Sequence, residues 1–137
     1  HFSGIDDLVS WIIDSKLLTL FENKDVRWES TIRSAVALFT DDSWFELATR
    51  INESTYALLI RKIAPIIARD IKESDEGRKL RDKDISLIAH SAVWAVSGAF
   101  YSWLSDPAWR SEKDMADKLI MLIRRYIDNG IEVFSSR

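Results

Sequence analysis

Residues 85–104 read ISLIAHSAVWAVSGAFYSWL and contain no Asp, Glu, Lys or Arg. The stretch has no proline, and its content of Ala, Leu, Ile and Trp favours a helix of about 30 Å. A surface helix normally carries a charged face opposite its apolar stripe. Because this helix has no charged face, we expect protein to cover it on nearly every side. The rest of its own chain would cover one side of the helix, and a surface outside that chain would cover the other side.

A transmembrane span is the alternative explanation of this stretch, since its length is about right. His90 and four serines (Ser86, Ser91, Ser97 and Ser102) argue against it, because polar side chains in lipid are costly. The mean hydropathy of the chain is -0.12, and no second span is present to pair with it. We therefore predict the central helix of an all-α protein, with no membrane partner.

A helical wheel divides this helix into two faces. One face is aromatic and polar, and we expect it to line a cavity; it holds His90, Trp94, Ser97 and Tyr101. The opposite face is apolar and includes small residues, which predicts the close approach of another helix. It holds Ile85, Ile88, Ala92, Val96, Ala99 and Trp103.

Composition indicates one globular domain. The chain has 137 residues, is 47% apolar and 30% charged, and has a net charge of -3. Cysteine is absent, which excludes disulfides and thiolate metal sites and fits a cytoplasmic location. No basic run stands out, so the chain itself offers little electrostatic footprint for nucleic acid.

Hydrophobic periodicity predicts about six helices and no strand. Their expected ranges are 5–21, 27–39, 44–51, 54–72, 85–104 and 112–129. Pro65 predicts a kink in the fourth helix or, alternatively, its division into two short helices. Residues 74–84 predict a solvated loop, and Asn129-Gly130 predicts the end of the last helix.

The last two helices are too apolar for the shorter amphipathic helices to cover completely. An isologous homodimer, in which these two helices of each chain form a four-helix bundle, is the economical arrangement. The predicted interface residues are Ile88, Ala92, Val96, Ala99, Trp103, Leu119, Leu122, Ile123 and Tyr126.

Aromatic side chains with a few polar groups predict a small-molecule cavity. Its candidate residues are Trp11, Trp44, Phe45, Tyr56, Ile60, His90, Trp94 and Tyr101. The alternative for each is ordinary core packing, and for His90 a hydrogen bond to a backbone carbonyl in the core. No phosphate loop, catalytic triad or metal-ligand spacing is present. We therefore expect no enzyme activity, cofactor or metal.

Three stretches resemble the ligand-binding and dimerisation domain of the TetR (AcrR-like) bacterial transcriptional regulators. His1-Phe2, followed by residues 3–8, is similar to the junction signature Y-x-H-F-x-x-K-x-x-L, with Ile5 in place of the usual Lys. The order of helices, with a polar loop before two apolar helices, is similar as well. Residues 96–106 and 111–130 resemble the pattern "G-x-x-x-x-W-L … a-x-x-L-x-x-l-i-x-x-G", and the ending is most similar to regulators of dihydroxyacetone kinase operons.

The resemblance implies the regulatory core of a DNA-binding regulator. Residues 1–4 would be the end of a junction with an upstream helix-turn-helix domain, and residues 5–137 the ligand-binding and dimerisation domain. A small, partly apolar effector would enter a cavity among the core helices and change the spacing of the two DNA readers. The alternative is an interaction module that receives its signal from a co-regulator protein.

Overall fold

The structure, a computed structural model, describes residues 4, 7–8, 11, 15, 27–40, 53–106, 108 and 114–135, and the side chains of these except at 38–40, 53–60 and 104–105. The described residues are all-α and contain no strand. They form α1 (Trp28–Thr40), α2 (Glu53–Glu73), a 3-10 turn (Gly77–Lys79), α3 (Asp82–Ser105) and α4 (Met115–Ser135). The all-α prediction is confirmed. The helix predicted at 44–51 and most of the one at 5–21 lie outside the described residues.

The four helices form a ring in which neighbours are antiparallel. α3 packs mainly against α2 and α4, and α1 packs against the same two helices. Ion pairs show the directions: Arg33 meets Asp117, while Arg124 reaches Glu29 at 3.4 Å. Thus the start of α1 lies beside the middle of α4, and its later residues lie beside the start of α4.

One apolar cluster fills the centre of the ring. α1 contributes Ile32, Ala35 and Val36, which lie on its predicted apolar stripe, and also Trp28. The other helices contribute their own stripes, and the largest fully buried apolar side chains are Ile67, Ile88 and Ile123. Burial of such side chains contributes roughly 1.5–3 kcal/mol each and is the main source of stability.

Three predicted boundaries are corrected. α2 runs without interruption from Glu53 to Glu73 past Pro65, so division into two helices was wrong. The predicted loop at 74–84 is a connection over 74–81 that contains a 3-10 turn and buries Gly77 and Leu80, and α3 already begins at Asp82. Gly130 does not end α4, which continues to Ser135.

The first turn of α1 is capped by a side chain from another helix. The backbone N–H of Trp28 donates a 2.7 Å hydrogen bond to Oδ2 of Asp70 in α2. Asp70 is only 7% exposed, and its other carboxylate oxygen lies 3.4 Å from the guanidinium of Arg69. The first N–H groups of a helix lack partners within the helix, and the helix dipole favours an anion there. Asp70 therefore fastens α1 to α2.

Asp70→Ala is expected to lower the free energy of unfolding by about 2 kcal/mol, because it leaves a buried N–H unpaired and removes a charged acceptor. Urea unfolding followed by circular dichroism measures this change. The control is Asp75→Ala, which removes an exposed ion pair with Arg78 and should change stability by less than about 0.5 kcal/mol. Equal effects at both positions would contradict the capping role.

Gly130 allows α4 to approach α3 closely. A Cβ atom added at Gly130 would lie 2.8 Å from Cγ1 of Ile88 and 3.1 Å from its Cδ1 and Cγ2. Ile88 is fully buried and has little room to move. Glycine in a helix normally costs stability, so its presence here is explained by this contact and not by a helix end.

Gly130→Ala is expected to destabilise the fold by about 1 kcal/mol, since overpacking costs roughly 1–3 kcal/mol and the better helix propensity of Ala offsets about 1 kcal/mol. In an Ile88→Ala background the same substitution should stabilise, because the obstructing atoms are gone. A double-mutant cycle by urea unfolding measures the coupling between the two positions. Additive effects would rule out the contact.

The described part of the chain contains one helix that is long and apolar enough to cross a membrane. It covers Asp82–Trp103, has a mean hydropathy of 1.2, and 39% of the apolar window is buried in the protein. The core helix of a soluble protein has the same length and composition, so this property is weak evidence for a span.

Candidate functional site

The outer side of α3 exposes large apolar side chains at regular spacing. Leu87 is 55% exposed, Trp94 54% and Tyr101 49%, and they are seven residues apart. A seven-residue repeat keeps side chains on one side of a helix, as in helices that pair with another helix. Between them lie Ser91 and Gly98, of which Gly98 is exposed. We call these five residues the α3 stripe.

α4 contributes a second row of exposed apolar side chains: Leu122, Tyr126 and Val133. At 100° per residue they lie on the flank opposite Arg124, whose ion pair marks the side facing α1. Since α4 packs between α1 and α3, this row lies on the α3 side. The stripe and the row together form an exposed apolar surface, which we call the outer face.

The structure places most of the predicted interface residues inside the single chain. Five of its nine residues are buried inside the single chain and are not open to a partner: Ile88, Ala92, Trp103, Leu119 and Ile123. Val96 and Ala99 are partly buried and pack against the same core. Only Leu122 and Tyr126 belong to the outer face. The apolar stripe of α3 thus faces the core, and its aromatic stripe faces outward.

The structure describes the side chains of four of the eight predicted pocket residues. Trp11, His90, Trp94 and Tyr101 are exposed in the single chain, and their assignment to a pocket stays a prediction. The Nδ1 atom of His90 lies 3.0 Å from the carbonyl oxygen of Ser86, one turn earlier. Trp44, Phe45 and the side chains of Tyr56 and Ile60 lie outside the described residues.

A different, half-open cavity of about 50 Å³ lies between the four helices. The described residues that line it carry no charge, and Ser97 supplies their only polar side chain. Its hydroxyl donates a 2.8 Å hydrogen bond to the carbonyl oxygen of Trp94. The lining comprises Ile32, Ala35, Val36, Ile63, Val93, Val96, Ser97, Phe100, Leu119 and Ile123. Helical periodicity identified most of these as apolar, but no local signal indicates that they surround a space.

One buried polar group lies next to this cavity. The ring of Phe100, which lines the cavity, stacks on Trp103 with a centroid distance of 5.9 Å. The indole Nε1 of Trp103 is buried and has no hydrogen-bond partner among the described residues. Most buried donors have a partner, so an acceptor reaching this indole would be stabilising.

A larger, mixed cleft of about 420 Å³ lies between the 3-10 turn and the ends of α3 and α4. Arg81 and Asp84 form a two-pronged ion pair there, with Nε to Oδ2 at 3.0 Å. This hydrogen bond and the adjacent charge raise the pKa of Arg81. The guanidinium and the carboxylate therefore pair with each other. Among the described residues, no group of three His, Asp or Glu side chains is placed to hold a metal ion.

No protein-family model matches the sequence, and comparisons with curated proteins and with solved structures give no match either. The functional interpretation therefore depends on the residues of this chain.

Proposed function

We propose that the chain is the regulatory core of a TetR-like bacterial transcriptional regulator. It would dimerise through its last two helices, bind a small effector among its core helices and control an upstream DNA-binding domain. The observation that supports this most is the outer face, because α3 and α4 carry nearly all the large apolar side chains exposed among the described residues.

The size of the outer face is appropriate for a homodimer. Its six large side chains are about half exposed and offer on the order of 500 Å² of apolar surface, against about 800 Å² per partner in a standard interface. The largest apolar patch on a typical monomer is roughly 300–600 Å² and is often a functional surface. Backbone and polar atoms at the rim would supply the remaining contact area.

The cavity favours an uncharged, apolar effector or an effector with an apolar branch. Burying a charge against these side chains without a partner is costly, so a charged group would have to stay outside. At about 50 Å³ the cavity holds only a few carbon atoms, while typical ligand sites occupy roughly 300–1,000 Å³. An effector would therefore insert one small group beside Phe100, and an acceptor on it would suit the Trp103 N–H.

Xenon binding tests the effector part of the proposal, because xenon is small and apolar. A titration followed by two-dimensional NMR should shift the signals of Ile63, Val93 and Leu119 in a saturable way. Ala35→Leu fills the cavity and should abolish the response, whereas Ala37→Leu places the same side chain on the exposed side of α1 and should not. A saturable response that persists in Ala35→Leu would contradict a ligand site in this cavity.

The second candidate is a protein-interaction module that receives its signal from a co-regulator. The observation that favours it is the contrast between a small cavity and a large exposed apolar face. In that arrangement the outer face binds the co-regulator and the chain itself remains monomeric. Measurement of the mass of the purified chain distinguishes the two candidates.

A further inference from the structure

The α3 stripe alternates large and small residues. Leu87, Trp94 and Tyr101 are large and exposed, while Ser91 and Gly98 are small and lie between them. Among the described residues, no atom beyond the neighbouring backbone of α3 lies within 4 Å of a Cβ added at Gly98, so this position forms a depression on the outer face. Side chains that project from one helix pack best into such depressions on a facing helix.

This pattern complements itself only when two copies run in opposite directions. Trp94 and Gly98 each lie two residues from Val96, and Ser91 and Tyr101 each lie five residues from it. An antiparallel pair centred at Val96 therefore places each large side chain against a small residue. A parallel pair would place Trp94 against the partner's Trp94 and leave the glycines facing each other across a gap, which close packing disfavours.

Charge supports the same direction. Lys83 is exposed near the start of α3 and Asp106 is exposed at its end. In the antiparallel pair the two lie about one helical turn apart across the interface, whereas a parallel pair would bring Lys83 beside the partner's Lys83. The antiparallel arrangement also opposes the two helix dipoles.

We infer that two copies of this chain pair along the α3 stripe in antiparallel orientation. The two-fold axis that relates them passes the helix at the level of Val96. Trp94 packs over the partner's Gly98, and Tyr101 packs over the partner's Ser91. The α4 row of Leu122, Tyr126 and Val133 borders this contact on either side. The inference rests on the dimer of the proposed function and adds the orientation and register of the pair.

Disulfide formation tests the orientation, because the chain contains no cysteine of its own. Ser91→Cys and Tyr101→Cys are made as separate variants and oxidised alone and mixed. Cross-linking is expected only in the mixture. Each position is about 15 Å from its own copy along the helix axis, which is too far for a disulfide. Arg78→Cys, exposed on the 3-10 turn, is the control for random collision.

Three results would overturn the pairing. Cross-linking of either variant with itself would indicate parallel helices, and a dimeric wild type whose mixed variants fail to cross-link would indicate another register or surface. In both cases the dimer of the proposed function stands. A monomeric wild type would contradict the pairing and the dimer together.

Gly98→Leu tests the register without disturbing the core, since a Cβ added there contacts none of the residues that the structure describes. The dimer dissociation constant is expected to rise at least tenfold, because the leucine fills the depression that receives Trp94. Ser86→Leu, exposed on another side of α3, should leave it unchanged. The exchanged variant Trp94→Ala/Gly98→Trp should recover much of the affinity. An unchanged constant in Gly98→Leu, or no recovery in the exchanged variant, would contradict the register.

Discussion

Gly77→Ala is expected to lower the free energy of unfolding by about 3 kcal/mol or more. An added Cβ would overlap the carbonyl oxygen of Ile71 and lie 2.6 Å from both Cγ2 of Ile71 and Oγ of Ser74. The oxygen belongs to the backbone at the end of α2 and cannot turn aside as a side chain would. The connection between α2 and α3 must therefore open for any larger residue.

The same connection is held by hydrogen bonds that this opening would strain. The Ser74 hydroxyl donates a 2.6 Å hydrogen bond to the Ile71 carbonyl and accepts one of 3.0 Å from the Gly77 N–H. Urea unfolding followed by circular dichroism measures the loss. Lys79→Ala, on the exposed side of the same turn, should change stability by less than about 0.5 kcal/mol. A Gly77→Ala variant as stable as the wild type would show that this connection is not closely packed.

Trp94→Glu is expected to weaken dimerisation about 1,000-fold, corresponding to roughly 4 kcal/mol, with little effect on folding. Truncation of a central interface tryptophan typically costs at least about 2 kcal/mol, and two-fold symmetry counts each substitution twice. Trp94 is half exposed in the single chain, so the core does not depend on its indole. Analytical ultracentrifugation across a concentration series measures the dissociation constant.

Met121→Glu is the matched control for this substitution. Met121 is also a large exposed apolar residue, but it lies on the side of α4 that faces away from α3, about a third of a turn from the α4 row. Met121→Glu should therefore leave the dimer dissociation constant within a factor of about 3 of the wild-type value. Equal weakening by Met121→Glu and Trp94→Glu would show that general surface charge, and not the α3 stripe, determines association.

Periodicity predicted which residues share a face, but it could not tell which face of α3 lies inside. Charged residues normally mark the outer side of a helix, and residues 85–104 have none. The sequence pattern therefore assigns the stripe of Trp94 and Tyr101 to a cavity and the stripe of Ile88 and Ala92 to an interface. In the structure Trp94 and Tyr101 are exposed, and Ile88 and Ala92 are buried in the single chain.

Contacts between distant residues could not be predicted from local pattern. The sequence Asn129-Gly130 is typical of a helix end, and only Ile88, 42 positions earlier, explains why a glycine lies inside α4. Asp70 likewise accepts its hydrogen bond from the N–H of Trp28, which lies 42 residues earlier in the sequence. Both features depend on how the helices are placed beside one another. The hydrophobic pattern of a single helix carries no information about that placement.

The mass of the purified chain in solution tests the account most directly, measured by sedimentation equilibrium from low micromolar to millimolar concentration. Association through the outer face predicts a single species of twice the chain mass of 15.8 kDa at the upper end of this range, reverting to the single mass in Trp94→Glu. A folded species that keeps the single-chain mass throughout would contradict it.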